Sequence, residues 1–132
     1  MRRGIAMIAA IVIIVSLAIP ASANVTPRYS HTDYVYARLD IDTNWGIATC
    51  VGELMADNVV PVKVIVYLQV YKYGSWQTVK SWEAEDMMNV YLSKSYAIYR
   101  GYQYRTYVEG YVYDSNNVLV EIVDIADTQW YG

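Results

Sequence analysis

The sequence predicts an all-β protein: an antiparallel sandwich of two sheets and about seven strands, in an immunoglobulin-like arrangement. Three observations predict it. Apolar and polar side chains alternate with a period of two over most of residues 34–125. Clusters of Asp, Asn, Gly and Ser punctuate that alternation at short intervals. Phe is absent while Tyr occurs 15 times and Trp 4 times, a preference that suits pleated, half-buried surfaces. Strands with one apolar face must cover it, and a second sheet is the simplest cover. A small barrel is the alternative.

The first 23 residues read as a signal peptide preceding that domain. Arg2 and Arg3 form a positive start, and Ile5 to Ile19 is an apolar run interrupted only by Ser16. Pro20 ends the run, and Ala21-Ser22-Ala23 is a small-x-small cleavage site. The run is shorter than the roughly 18–20 residues needed to span a bilayer, so cleavage after Ala23 is expected in preference to a retained anchor. The expected product is a secreted, extracellular chain with no membrane attachment. Losing Arg2 and Arg3 leaves 8 basic against 13 acidic residues, a net charge of −5. Residues 24–32, polar and containing Pro27, read as an N-terminal arm, and 33–132 as a single domain.

In Tyr34–Ile41, Val35, Ala37, Leu39 and Ile41 fall on one face, and Tyr34, Tyr36, Arg38 and Asp40 on the other. Asp42-Thr43-Asn44-Trp45-Gly46 has turn composition. Ile47–Leu54 is a second strand, after which Ala56-Asp57-Asn58 opens a turn. Val62–Tyr71 carries the strongest signal, with Val62, Val64, Val66, Leu68 and Val70 on one face. Its β-branched content excludes a helix. Tyr73-Gly74-Ser75 turns the chain into Trp76–Glu83. Trp76, Val79 and Trp82 cannot all share one face there, so a bulge or an edge is expected. Glu85–Asn89 reads as a loop, Val90–Ile98 as a weaker strand and Tyr99-Arg100-Gly101 as a break. Tyr102–Tyr113 is a long strand with Tyr104, Thr106, Val108, Gly110 and Val112 on its core face. Asp114–Asn117 is a hairpin turn, and Val118–Ile125 the last strand.

Several of these segments carry a resemblance. Thr26-Pro27-Arg28-Tyr29 follows a secretion signal, and Gly46-Ile47-Ala48-Thr49-Cys50, Leu68-Gln69, Gly74-Ser75-Trp76, Val79, Trp82 and Gly101-Tyr102-Gln103-Tyr104-Arg105 come after it. The chain resembles a group of small secreted proteins of clostridial and related Gram-positive bacteria, classed as a domain of unknown function. The resemblance spans most of the mature chain. It implies an extracellular β-sandwich and supplies no catalytic residues.

The inventory of reactive side chains is poor. One Cys excludes an internal disulfide framework. One His, His31, leaves little room for a His-based metal site or a nucleophile–base–acid relay, and no G-x-S-x-G elbow is present. Cys50 reads as a small buried hydrophobe, the alternative being an exposed thiol that links two chains. Glu83, Glu85 and Asp86 read as a solvated acidic loop, because a two-layer sandwich of this length has little material for a glycosidase cleft. Asp40-x-Asp42-x-Asn44 has calcium-loop spacing, but the Gly comes one place late at Gly46. Val51 occupies the position that needs a Glu, so this stretch reads as a turn. No enzyme, cofactor or metal is expected, and no basic block invites nucleic acid.

The Tyr set is the feature with most to say about function. If the third and sixth strands are neighbours, Tyr67, Tyr71, Tyr107 and Tyr111 share one outer face. Lys63, Gln69, Arg105 and Glu109 lie among them. Such a face suits protein contact or sugar stacking, although cross-strand Tyr pairs also stabilise a sheet on their own. The expected function is a non-catalytic binding module using Tyr67, Tyr71, Tyr107, Tyr111 and Arg105, with an extracellular protein or glycan as partner. A carbohydrate-binding module and a secreted antagonist or toxin are the alternatives. Exposed sheet edges leave both a monomer and an edge-paired dimer open.

Overall fold

A computed structural model of the chain describes residues 29–132. The predicted signal segment 1–23 and residues 24–28 of the predicted arm lie outside the described residues. Seven strands follow: β1 (Thr32–Asp42), β2 (Ile47–Ala56), β3 (Pro61–Lys72), β4 (Ser75–Met87), β5 (Asn89–Ala97), β6 (Tyr102–Tyr113) and β7 (Leu119–Tyr131). They form a three-stranded sheet in the order β1-β2-β5 and a four-stranded sheet in the order β4-β3-β6-β7. Every pairing is antiparallel. The expected sandwich is present, and β3 and β6 are neighbours with Tyr67 opposite Tyr107.

The core is built by alternation. Val62, Val64, Val66 and Leu68 of β3, Val108 and Val112 of β6, and Ala48, Cys50 and Leu54 of β2 are all buried. Burying each larger aliphatic side chain contributes about 1.5–3 kcal/mol. Two glycines set how closely the sheets approach. A Cβ on Gly52 of β2 would lie 2.6 Å from Val66 and 2.9 Å from Val108 of the facing sheet. A Cβ on Gly110 of β6 would lie 3.0 Å from Leu54. Each sheet therefore receives the other's branched side chains at a position with no side chain of its own.

One further feature marks the immunoglobulin-like order. Tyr104, near the start of β6, is buried, and its hydroxyl donates to the Tyr99 carbonyl and accepts from the Tyr99 amide, each at 3.0 Å. This is the tyrosine corner of such sandwiches, which pins the connection between the fifth and sixth strands. Two residues on, Thr106 is fully buried beside the Cys50 thiol of β2. Burial raises the Cys50 pKa, the neighbouring Thr106 hydroxyl opposing it. The thiol is shielded from solvent and not available to a second chain.

Turn chemistry holds the ends. Tyr73 (φ 53°) and Gly74 (φ 81°) make a two-residue connection with both residues left-handed, the twist-compatible hairpin turn. Asp42 closes the β1–β2 turn: its carboxylate accepts from the Asn44 and Trp45 amides at 3.0 and 3.3 Å. Asp114 does the same for Asn116 and Val118 at 2.8 and 3.0 Å.

Several boundaries differ from expectation: β1 begins at Thr32, inside the predicted arm, and β2 runs on to Ala56. Glu85–Asn89 is not a loop: β4 continues to Met87, Met88 alone turns at φ 66°, and Asn89 opens β5. The acidic side chains there hid a strand because β4 lies at the sheet edge, where polar residues cost little. The last strand runs to Tyr131 instead of stopping at Ile125, because its polar stretch is paired to β6 throughout. The fifth strand ends at Ala97, one residue early. The expected irregularity near Val79 is a bulge: Leu68 pairs with Lys80 and Gln69 with Thr78, leaving Val79 unmatched.

The two sides of the sandwich differ. On one, β7 latches onto β1: Asp127 accepts from the Leu39 amide at 2.8 Å, and Gln129 donates to the Leu39 carbonyl at 2.9 Å. On the other, β4 and β5 face each other without such a latch. Lys80 pairs with Leu68 and Lys94 with Cys50, so both ammonium groups stand on the core-facing side of an edge strand. Inward-pointing charge of this kind opposes edge-to-edge association.

Two outcomes check this packing. Gly52→Ala overpacks the seam and lowers stability by about 1–3 kcal/mol, measured as a fall in midpoint on thermal unfolding. Thr106→Cys forms a disulfide with Cys50 under oxidising conditions, read as loss of the free thiol and a gain of about 2–4 kcal/mol.

Candidate functional site on the outer face of the four-stranded sheet

Strand alternation sends Lys63, Ile65, Tyr67, Gln69 and Tyr71 of β3 away from the core, and the register with β6 aligns them in rows. Lys63 lies opposite Tyr111, Ile65 opposite Glu109, Tyr67 opposite Tyr107, and Gln69 opposite Arg105. On the flanks, Trp76 and Thr78 of β4 pair with Tyr71 and Gln69, and Asp124 of β7 pairs with Glu109. The five predicted residues, Tyr67, Tyr71, Tyr107, Tyr111 and Arg105, thus share one face.

Their environment differs from a freely exposed platform. Tyr71 is exposed (44 %), whereas Tyr67, Tyr107, Tyr111 and Arg105 are half-buried. The rings of Tyr67 and Tyr107 tilt together with centroids 5.7 Å apart. The Tyr67 hydroxyl donates to Glu109 Oε1 at 2.7 Å, and Tyr111 donates to the same oxygen at 3.1 Å. Tyr107 donates to Asp124 Oδ2 at 2.6 Å. Each phenol is thereby fixed as a neutral donor to a carboxylate. Burial is the first cause that raises all three pKa values; the bonded carboxylate adds to it at Tyr67 and Tyr107, and the Glu109 charge at Tyr111, which is pushed up to about 12.

The other end of the face is cationic. The Arg105 guanidinium lies 4.5 Å from the Trp76 ring and 4.8 Å from the Tyr107 ring, so two aromatic faces hold one cation. Its Nε donates to Gln69 Oε1 at 2.7 Å. Burial lowers the Arg105 pKa, but an arginine so placed stays charged at neutral pH. Tyr71 meets Trp76 edge to face at 5.2 Å. An exposed ring, a second ring inclined to it at 67° and a preoriented cation form a corner, while the Tyr67–Tyr107–Tyr111 set braces it.

Trp76 and Asp124 complete this face and are not among the predicted contact residues. The bulge at Val79 decides the orientation of Trp76, and only tertiary pairing locates it. Asp124 lies within the predicted last strand, next to the buried Val123, so its outward facing is visible in the alternation.

The remaining candidates lie elsewhere. Glu83 and Glu85 stand on the same outer face, opposite Ile65 and Lys63, and not in a loop. Asp42 is occupied by its turn, and Asp40 pairs with Arg38 at 2.7 Å. Among the described residues no group of three His, Cys, Asp or Glu side chains is arranged to hold a metal. His31 is exposed, its amide donating to Glu121 at 2.6 Å and its carbonyl accepting from Asp57 at 3.1 Å. Among the described residues no helix is long and apolar enough to cross a membrane. The chain matches no protein-family profile and no curated protein.

The braced phenols carry a pH signature. Their pKa values are raised in the folded state, so the unfolded chain loses these protons first. The stability they confer is complete below the ordinary tyrosine pKa of about 10 and is lost as pH climbs above it. A spectroscopic tyrosine titration should show a subset of phenols ionising only with unfolding. In Tyr107→Phe the alkaline loss of stability becomes shallower.

Proposed function

We propose that the chain is a secreted, non-catalytic binding module of the small Gram-positive group it resembles, which recognises an extracellular protein or glycan through the outer face of the four-stranded sheet. The observation that carries this reading is the Arg105 guanidinium held between Trp76 and Tyr107, next to the exposed Tyr71 ring. Contact energy concentrates in Trp, Tyr and Arg set in rigid surroundings, because little side-chain freedom remains to be lost on binding. Supporting a binding rather than a catalytic role, Glu109 and Asp124 are engaged as acceptors of tyrosyl hydrogen bonds.

A carbohydrate partner is the second reading, favoured by the edge-to-face Tyr71–Trp76 pair, in which the exposed Tyr71 ring is available to the C–H surface of a sugar. Oligosaccharide arrays and a panel of extracellular proteins, probed with the wild-type chain, Tyr71→Ala and Arg105→Ala, test both readings. The expected result is binding that drops by about tenfold or more in each variant, equivalent to about 1.4 kcal/mol, at an unchanged melting temperature. A ligand bound equally well by both folded variants would remove this face from consideration. An oligosaccharide array left blank at high protein concentration would remove the carbohydrate reading.

A further inference from the structure

The chain is acidic, yet its charges are segregated in a way that only the fold reveals. Residues 72–82 and 87–108 contain no Asp or Glu, although the sequence has 13 acidic residues. The two segments carry Lys72, Lys80, Lys94, Arg100 and Arg105, five of the seven Lys and Arg residues between 29 and 132. The fold brings them together at the unlatched side of the sandwich, where the first half of β4, β5 and the start of β6 converge. Arg100 is committed to the carbonyls of Gly132 and Thr43 at 2.9 and 3.1 Å, and Arg105 belongs to the outer face. Lys72, Lys80 and Lys94 remain.

Lys72 lines a cleft of about 530 Å³ at this end of the core, a volume within the usual range for small-ligand sites; Lys80 approaches it through the Tyr96 ring, and Lys94 precedes Tyr96 by two residues on the same face of β5. The floor of the cleft is apolar, made by Val70, Ile98 and the ring of Tyr104. Tyr96, Tyr99 and Tyr102 stand at its mouth; Tyr99 is 78 % exposed and Tyr96 40 %. The Lys72 ammonium sits 4.6 Å from the centroid of the Tyr102 ring, and that of Lys80 5.9 Å from Tyr96. Two ammonium groups therefore lie against rings that line one opening. Lysine acts as a mobile point charge and suits single, spaced anions better than a planar fork would.

We propose that this cleft binds a short run of an acidic polysaccharide, with sugar rings seated on Tyr96, Tyr99 and Tyr102 and their carboxylate or sulfate groups paired with Lys72, Lys80 and Lys94. The residues lining the cleft include a lysine and no Asp or Glu, which favours an anion there on an otherwise acidic protein. A nucleic-acid strand, with a phosphate at every residue, would also meet the acidic remainder of the surface. This site is separate from the outer face, and its variants leave Tyr71, Trp76 and Arg105 untouched.

The test titrates the folded domain with a hexagalacturonate, a heparin-derived hexasaccharide, neutral cellohexaose and an oligothymidylate, followed by amide NMR shifts and calorimetry. The expected result is binding of at least one acidic hexasaccharide, shifts centred on Tyr96 and Tyr102, and weakening as salt is raised. Lys80→Glu with Lys94→Glu, and separately Tyr96→Ala, should each reduce affinity by about tenfold or more at unchanged melting temperature. Lys63→Glu, on the outer face, should not. The proposal is overturned if neither acidic hexasaccharide binds at millimolar concentration, if cellohexaose binds equally well, or if the oligothymidylate binds more tightly than both. It is overturned equally if acidic sugar binding persists in the folded lysine and tyrosine variants.

Discussion

The distance between the two sheets is the constraint on which the rest of this structure depends, and two glycines without side chains to spare set it. Gly52 lies beneath Val66 and Val108, and Gly110 lies beneath Leu54. Because the seam is this tight, the core is narrow and composed of Val, Leu, Ala and a buried Cys. The aromatic residues, which would need a wider gap, are displaced to the outer faces and the ends. Of the 15 tyrosines, Tyr104 and Tyr131 are buried at the ends of the core and most of the others reach solvent.

The outer face resolves the cost of that displacement. Half-buried phenols need hydrogen-bond partners, and carboxylates on neighbouring strands provide them. Glu109 serves Tyr67 and Tyr111, and Asp124 serves Tyr107. This arrangement stiffens the sheet where β3, β6 and β7 run side by side and leaves the Trp76–Arg105–Tyr71 corner as the part with free contact area. Stabilisation and the proposed recognition are thus divided between neighbouring residues of one pattern. The period of two places all of them on the face, but hydrogen bonding decides which are occupied.

The two flanks divide the labour differently. The β1–β7 side is closed by side chain to backbone bonds, which satisfy an edge strand that would otherwise offer open amides and carbonyls. The β4–β5 side is kept apart by the charged ends of Lys80 and Lys94 on core-facing positions. Lys80, one of these edge lysines, also lies against the Tyr96 ring beside the opening that Lys72 lines. The bulge at Val79 adds to this, since it turns the edge and reverses the facing of β4 between Trp76 and Trp82.

Much of the fold was legible in the residues themselves. The apolar faces of Val62–Val70 and Tyr104–Val112 and the outward facing of each predicted Tyr follow from the alternation of side chains along an extended chain, and the β1–β2, β3–β4 and β6–β7 turns from their Asp, Asn and Gly content. That is a local property, written every second residue. Strands at an edge were harder to bound, because polar residues such as Glu85, Asp86, Thr128 and Gln129 occur both in loops and on exposed strand faces. Only the tertiary structure decided which strand pairs with which, that Thr106 comes to rest beside Cys50, that Trp76 turns outward, and that two segments free of carboxylates meet across one opening. Those facts depend on contacts between residues far apart in the chain, and the close fit of the two sheets, not any short stretch of sequence, selects them.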